Sequence, residues 1–250
     1  MTQFITSVKN QKIQFVKKLH DKSFRKSEGL FIVEGENIIK DMPSSIPVAD
    51  IFVEKDKTSE FSYILERYNE DIITFVDEKV MKSMSETVTP SGILAVVKKI
   101  QPNKELNGNV VILDGISDPG NFGTIIRTCV ACGIEDIVAI DCVDHTSGKV
   151  VRSSMGGVFG VNIVESSREE ALNFAKNHTF YALDMGGENI YDMSTPKTPY
   201  ALIVGSESRG LSKEFRDKSN VIALPMSGKM ESLNAAVSLS VALYRFAYGK

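Results

Sequence analysis

The chain has 250 residues, 42% hydrophobic content and a formal net charge of −3. That is enough chain for a substantial core in one large or two small domains, and it excludes a uniformly basic nucleic-acid coat. Three cysteines in this length do not make a disulfide framework. No apolar run approaches the ~20 residues of a membrane span and no signal peptide is expected, so the cytoplasm is the default compartment.

The charge is unevenly spread. Residues 1–26 carry Lys9, Lys12, Lys17, Lys18, Lys22, Arg25 and Lys26 against one acid, Asp21. A solvated helix face and an RNA contact are both open for this patch. The stretch VKNQKIQFVKKLH sets Val8, Ile13, Phe15, Val16 and Leu19 among basic residues and predicts an amphipathic helix. LFIV, DIFVE, IITFV and GILAVV read as short buried strands, with helical stretches between them such as EFSYILERY. Such alternation predicts a small α/β domain over 1–98 with a parallel or mixed sheet. The polar run 99–109 reads as a linker. A second alternation fills 110–250, with strands expected at VVIL, IVAI, GVNIV, TFYALD, YALIVG and VIALP. The last helix is SLNAAVSLSVALYRFAYG, with Ser232 as the expected N-cap.

Three strand-to-helix loops in the second half carry chemistry. DPGNFGTIIRTCVACGI follows VVIL and holds Asn121 and Arg127. IVGSESRGLS has the outline of a dinucleotide fingerprint, but Glu207 takes the place of the middle glycine, where a pyrophosphate would meet a carboxylate. LPMSGKMESLNAAVS leaves a strand, loops through Ser227-Gly228-Lys229 and enters a helix of small residues. Strand ends of one sheet converge on one edge, so these polar groups can share a site. Cys129-x-x-Cys132 followed by Cys142-x-x-His145 has zinc-like spacing, but the first pair falls in a helical run of small and apolar residues and reads as core. No metal is expected.

Taken together, DGISDPGNFGTIIRTCVACG, LIVGSESRGLS and IALPMSGKMESLNAAVSLSVALY resemble, in order, the three signature motifs of the SpoU or TrmH-like family of RNA ribose 2'-O-methyltransferases, within the SPOUT superfamily. FIVEGENIIKDM and TPSGILAVV resemble the RNA-binding accessory domain common in that family. The resemblance implies an α/β SPOUT domain over 110–250 with a mostly parallel sheet and a deep trefoil knot, behind a smaller α/β RNA-binding domain. It implies S-adenosylmethionine as methyl donor, S-adenosylhomocysteine as product, and a homodimer with the active site near the subunit interface. The donor pocket would be built by Leu183, Gly205, Leu224, Met226 and Leu233. Arg127, Asn121, Glu207, Ser232 and Asn234 would form the catalytic set. Small side chains at Ala235, Ala236, Ser238 and Ala242 would let helices approach closely. The implied partner is RNA, ribosomal ahead of transfer RNA.

The family gives Arg127 the role of base. A guanidinium with a pKa above ~12 normally only donates, so a grip on a neighbouring phosphate or the developing oxyanion is an equal reading. Two rivals remain: a silent RNA-binding paralogue and a nucleotide-dependent oxidoreductase. The intact polar set argues against the first, and Glu207 against the second.

Overall fold

The computed structural model describes residues 3–194, 196, 198–206, 210–230 and 232–249. The chain divides into two compact units, Met1–Gln101 with Thr146–Phe159, and Pro102–His145 with Gly160–Lys250. Up to residue 101 it runs β1 (Gln3–Ile5), α1 (Gln11–Lys18), α2 (Lys22–Glu28), β2 (Leu30–Glu34), α3 (Glu36–Asp41), β3 (Val48–Glu54), α4 (Ser62–Leu65), β4 (Ile73–Val76), α5 (Glu78–Met84) and β5 (Ile93–Lys98). Then come β6 (Val110–Asp114), α6 (Pro119–Ala131), β7 (Asp136–Ile140), α7 (Gly148–Ser154), β8 (Asn162–Glu165), α8 (Arg168–Phe174), β9 (Thr179–Asn189), β10 (Tyr200–Gly205), α9 (Lys213–Arg216), β11 (Asn220–Ala223) and α10 (Ala235–Tyr248).

The first unit holds a mixed five-stranded sheet in the order β1-β4-β3-β5-β2. β4 pairs in parallel with β1 and β3, while β5 is antiparallel to β2 and β3. α1 starts where the Asn10 side chain accepts from Lys12 N, and it buries Ile13 and Val16 against Phe52, Met81 and Leu94. The basic patch is partly consumed by this fold. Lys12 Nζ lies 2.5 Å from Asp50 and donates to Thr74 Oγ1 at 2.9 Å. Arg25 is buried and donates to the carbonyls of Leu19 (2.8 Å) and His20 (2.7 Å). Lys9, Lys18, Lys22 and Lys26 stay exposed.

Residues 146–159 lie within the second half of the sequence but fold with the first unit. Val151 joins its core, and Phe159 stacks on Phe31 with centroids 6.3 Å apart. Beside them Glu34 is buried, accepting from Thr87 Oγ1 at 2.9 Å and from Ser85 Oγ. Arg152 Nη1 stands 3.5 Å from Glu34, and Arg152 Nη2 is 3.3 Å from Glu86.

The second unit is built on a six-stranded sheet, β11-β9-β10-β6-β7-β8, in which every pairing is parallel. Strands covered on both faces need continuous apolar runs, and Val110, Ile112, Val138, Ile140, Val164, Ala201 and Ile203 form the core on one side. Because all six strands run one way, their carboxyl ends share one edge.

Arg152→Ala is expected to lower the first unit's stability by ~1–3 kcal/mol, since it strips a buried carboxylate of its countercharge. The denaturant midpoint is the measure; an unchanged midpoint would mean that Ser85 and Thr87 alone suffice for Glu34.

Candidate active site at the carboxyl edge of the parallel sheet

β6 ends in Asp114, whose carboxylate is only 4% exposed. Its Oδ1 accepts from Arg168 Nη2 at 2.8 Å, and its Oδ2 from Arg168 Nε at 3.4 Å and from Ser212 N at 3.3 Å. The hydrogen bond with Asp114 raises the Arg168 pKa above its ordinary value. Ser212 follows the loop that leaves β10, so one buried carboxylate ties that loop to β6 and α8. The loop is also tightly folded at Gly205: a Cβ there would overlap the Gly210 carbonyl and come within 2.7 Å of Leu211 N.

α6 begins at Pro119, whose fixed φ suits a first helical position. Asp118 caps it by accepting from Asn121 N at 2.8 Å. Asn121 therefore lies in the first turn of α6, where its Oδ1 accepts from Asn234 Nδ2 at 3.0 Å. Asn234 in turn caps α10, accepting from Ala236 N (3.0 Å) and Val237 N (3.2 Å). The expected cap at Ser232 is thus corrected to Asn234: an asparagine two residues on supplies the oxygen, and α10 starts at Ala235. Further along, Thr128 Oγ1 and Ser240 Oγ are 2.8 Å apart and Tyr248 donates to the Ala131 carbonyl at 3.0 Å, holding α6 beside α10. Ala235, Ala236 and Ala242 are spent on this unit's own core; the large apolar side chains that α10 exposes are Val237, Tyr244 and Tyr248.

Two cavities open on this edge, about 210 and 300 Å³ in volume. All five residues expected to form the donor pocket, Leu183, Gly205, Leu224, Met226 and Leu233, line the first, together with Ser232. Asp184, held by Arg216, and the apolar Val204 and Ile222 complete its walls. The second is polar, lined by Asp114, Ser117, Asp141, Arg168, Ser206 and Ser212 among others. Ser206 and Gly210 belong to both linings. Arg127 lines neither; it is exposed on α6, ~9 Å along the axis from Asn121. Glu207 lies outside the described residues. Sequence reading missed Arg168 and Asp141. Neither stands in a loop with a signal of its own, and Arg168 reaches Asp114 across a separation of 54 residues.

The cysteine spacing resolves into separate structural roles. Cys129 is buried in α6. The Cys142 Sγ donates to the carbonyls of Leu113 (3.5 Å) and Ile140 (3.3 Å), and burial pushes its pKa up to about 11. His145 faces Glu165, with Nδ1 3.4 Å from Oε1.

A parallel α/β unit with a mostly apolar cavity at its strand ends, walled in part by the start of α10, has the architecture of a ligand-binding domain. Residues 108–244 match the model of the SpoU rRNA Methylase family, and residues 10–95 match an MRM3-like substrate binding domain. The chain belongs to the SpoU family. It is 30% identical over 249 residues to the Bacillus subtilis 23S rRNA (guanosine(2553)-2'-O)-methyltransferase RlmP, covering 96% of this chain and 97% of that one. It is 36% identical over 144 residues to the Streptomyces azureus 23S rRNA (adenosine(1067)-2'-O)-methyltransferase, covering 55% of this chain and 53% of that one. Among solved structures, an AdoMet-bound rRNA methyltransferase from Sinorhizobium meliloti shares the fold, with TM-score 0.88, 23% identity and 98% and 97% coverage. An RNA 2'-O ribose methyltransferase superposes with TM-score 0.83 at 26% identity, with 99% of each chain covered.

Gly205→Ala is expected to push the loop after β10 outward, because the added methyl meets backbone rather than a flexible side chain. S-adenosylmethionine affinity, read by calorimetric titration of a variant with native circular dichroism, should fall at least ~10-fold. Wild-type affinity would remove the cofactor from this cavity.

Proposed function

We propose that this chain transfers a methyl group from S-adenosylmethionine to a ribose 2'-hydroxyl of structured RNA, ribosomal RNA ahead of transfer RNA. The observation that carries the reading is the first cavity: five residues from three separate stretches of sequence converge there between apolar walls. Leu183, Leu224 and Leu233 would sandwich a flat adenine, and backbone groups near Met226 would meet its polar edge. Bound there, the donor would supply an electrophilic methyl on a sulfonium: the oxygen–carbon bond would form as the carbon–sulfur bond breaks, with S-adenosylhomocysteine leaving and the hydroxyl proton passing to water. The catalytic group is Asn121, Arg127, Glu207, Ser232 and Asn234. The Asn121–Asn234 hydrogen bond fixes the two helix starts against each other, and Ser232 stands at the cavity wall.

Arg127 is the residue that would touch RNA. It is exposed, with no ion-pair partner among the described residues. A guanidinium carries only donors, so its role here is to clamp a phosphate or the developing oxyanion and align the ribose. One turn further on α6 stands exposed Val130, and α10 adds Val237, Tyr244 and Tyr248. An apolar face of this kind suits a second copy of the chain, and supports a homodimer in which Arg127 works near the subunit interface. The trefoil knot that the family resemblance implies belongs to the same reading of the second unit. Among the described residues no helix is long and apolar enough to cross a membrane, and the cytoplasm is the compartment proposed. The first unit would hold RNA through the exposed Lys9, Lys18, Lys22 and Lys26. The relatives' names carry both a guanosine and an adenosine target, so kinship alone does not fix the base.

Arg127→Lys keeps the charge but loses the planar fork. It should slow methyl transfer to RNA by roughly two orders of magnitude or more, with S-adenosylmethionine affinity little changed. A clamp leaves the pH profile of the residual rate parallel to wild type, whereas a base would remove a titration from it. Near wild-type rates would return Arg127 to the helix surface and leave Glu207 as the next candidate. In the first unit, replacing Lys18, Lys22 and Lys26 by Ala should weaken RNA binding. The salt dependence should flatten by up to ~0.9 log unit per lost phosphate contact on duplex. A slope identical to wild type makes this a solvated face.

A further inference from the structure

The second cavity is lined by charged and polar side chains, where the first is mostly apolar. We propose that it receives the base of the nucleotide whose ribose is methylated, and that Asp141 makes it a guanine site; this rests on the methyl-transfer reading above. Its position comes first. It shares Ser206 and Gly210 with the donor cavity, so the two adjoin. A base extruded from its stack and read along its Watson–Crick edge needs such a neighbour to the reacting centre.

The chemistry of the lining follows. Asp114 is used up: both of its oxygens accept from Arg168 or Ser212. Asp141 is not buried in this way. Its side chain is 71% exposed, with Oδ2 3.7 Å from Arg168 Nη2. The backbone at Asp141 has φ +50, a left-handed conformation uncommon outside glycine and best tolerated by Asp and Asn. Such conformations persist where the surroundings impose them, often at ligand clamps. The surroundings here are specific. Gly115 N donates to the Ile140 carbonyl at 2.8 Å and Val143 N to the Ile116 carbonyl at 2.9 Å, pinning the Asp141 turn to the loop after β6. A further independent sign is Ser212 Oγ, which is buried at the cavity wall with no hydrogen-bond partner among the described residues.

An ionised carboxylate only accepts. On its Watson–Crick edge guanine offers two adjacent donors, N1–H and the N2 amino group, which match both oxygens of one carboxylate. Adenine and cytosine set a ring-nitrogen acceptor beside their single amino donor, and uracil flanks its one N–H with two carbonyls. Each of these places a lone pair against Asp141. The Arg168 N–H groups not engaged by Asp114 would serve the O6 acceptor of guanine.

The full chain saturated with S-adenosylhomocysteine would be dialysed to equilibrium against GMP, AMP, CMP and UMP. GMP should bind about tenfold or more tightly than the others. Asp141→Asn, which keeps size and tolerance of the left-handed backbone, should lose that preference while S-adenosylhomocysteine affinity stays at the wild-type value. Equal binding of all four nucleotides by the wild type, or a GMP preference that survives Asp141→Asn, overturns the assignment. In parallel, unmodified 23S rRNA transcript would be labelled with the tritiated donor and digested to nucleosides. Label in 2'-O-methylguanosine supports the site. Label in another 2'-O-methylnucleoside overturns it while leaving ribose methylation standing. No donor binding and no label in any RNA sinks the methyl-transfer reading, and this one with it.

Discussion

A carboxylate taken out of water must be met by donors, or it is neutralised or expelled. Asp114 sits buried at the end of β6, next to the middle of the parallel sheet, and three N–H groups meet it: two from Arg168 and one from the Ser212 backbone. Those donors come from the start of α8 and from the far end of the loop after β10. Satisfying one charge therefore fixes where two other segments lie. The backbone at Gly205 is packed closely against Gly210 and Leu211, with no room for a side chain. The edge of the sheet is thereby divided between two adjoining cavities, one mostly apolar and one polar, which share Ser206 and Gly210.

That division matters for a transfer between two large, chemically different ligands. An adenine-bearing donor gains from apolar walls, and an RNA base gains from fixed donors and acceptors. Rigid secondary structure supports both. α6 and α10 are locked by the Asn121–Asn234 hydrogen bond and by the Thr128–Ser240 contact, and the Asp141 turn is pinned to the loop after β6. Preorganisation of this kind reduces the ordering needed when ligand binds.

Much of the fold was legible because buried parallel strands write themselves as short apolar runs. YALIVG matches β10 residue for residue, and VVIL falls one residue short of β6. β1 was not legible: it has three residues, begins with polar Gln3, and leaves Phe4 exposed. β9 runs to Asn189, past the expected TFYALD, and at Gly187 it lies so close to β11 that a Cβ would strike the backbone of Val221 and Ile222. The residues proposed for the donor cavity were picked out through motif resemblance, and Gly205 also through its loop pattern. Lys12 and Arg25 looked like free cations in sequence, yet one is paired with Asp50 and the other is buried on backbone carbonyls. The polar cavity was invisible because its chemistry depends on partners far apart in the chain, which no local pattern announces.

The central claim is that the methyl group arrives on a ribose oxygen of RNA. It is tested most directly by incubating the wild-type chain with donor labelled in the methyl group and unmodified 23S rRNA transcript, followed by complete alkaline hydrolysis. A 2'-O-methyl group blocks attack on the adjacent phosphate, so the label should emerge in an alkali-stable dinucleotide. Label released in mononucleotides would mean methylation of a base, and RNA that takes up no label while the donor is bound would mean a silent binding protein; either result contradicts the claim.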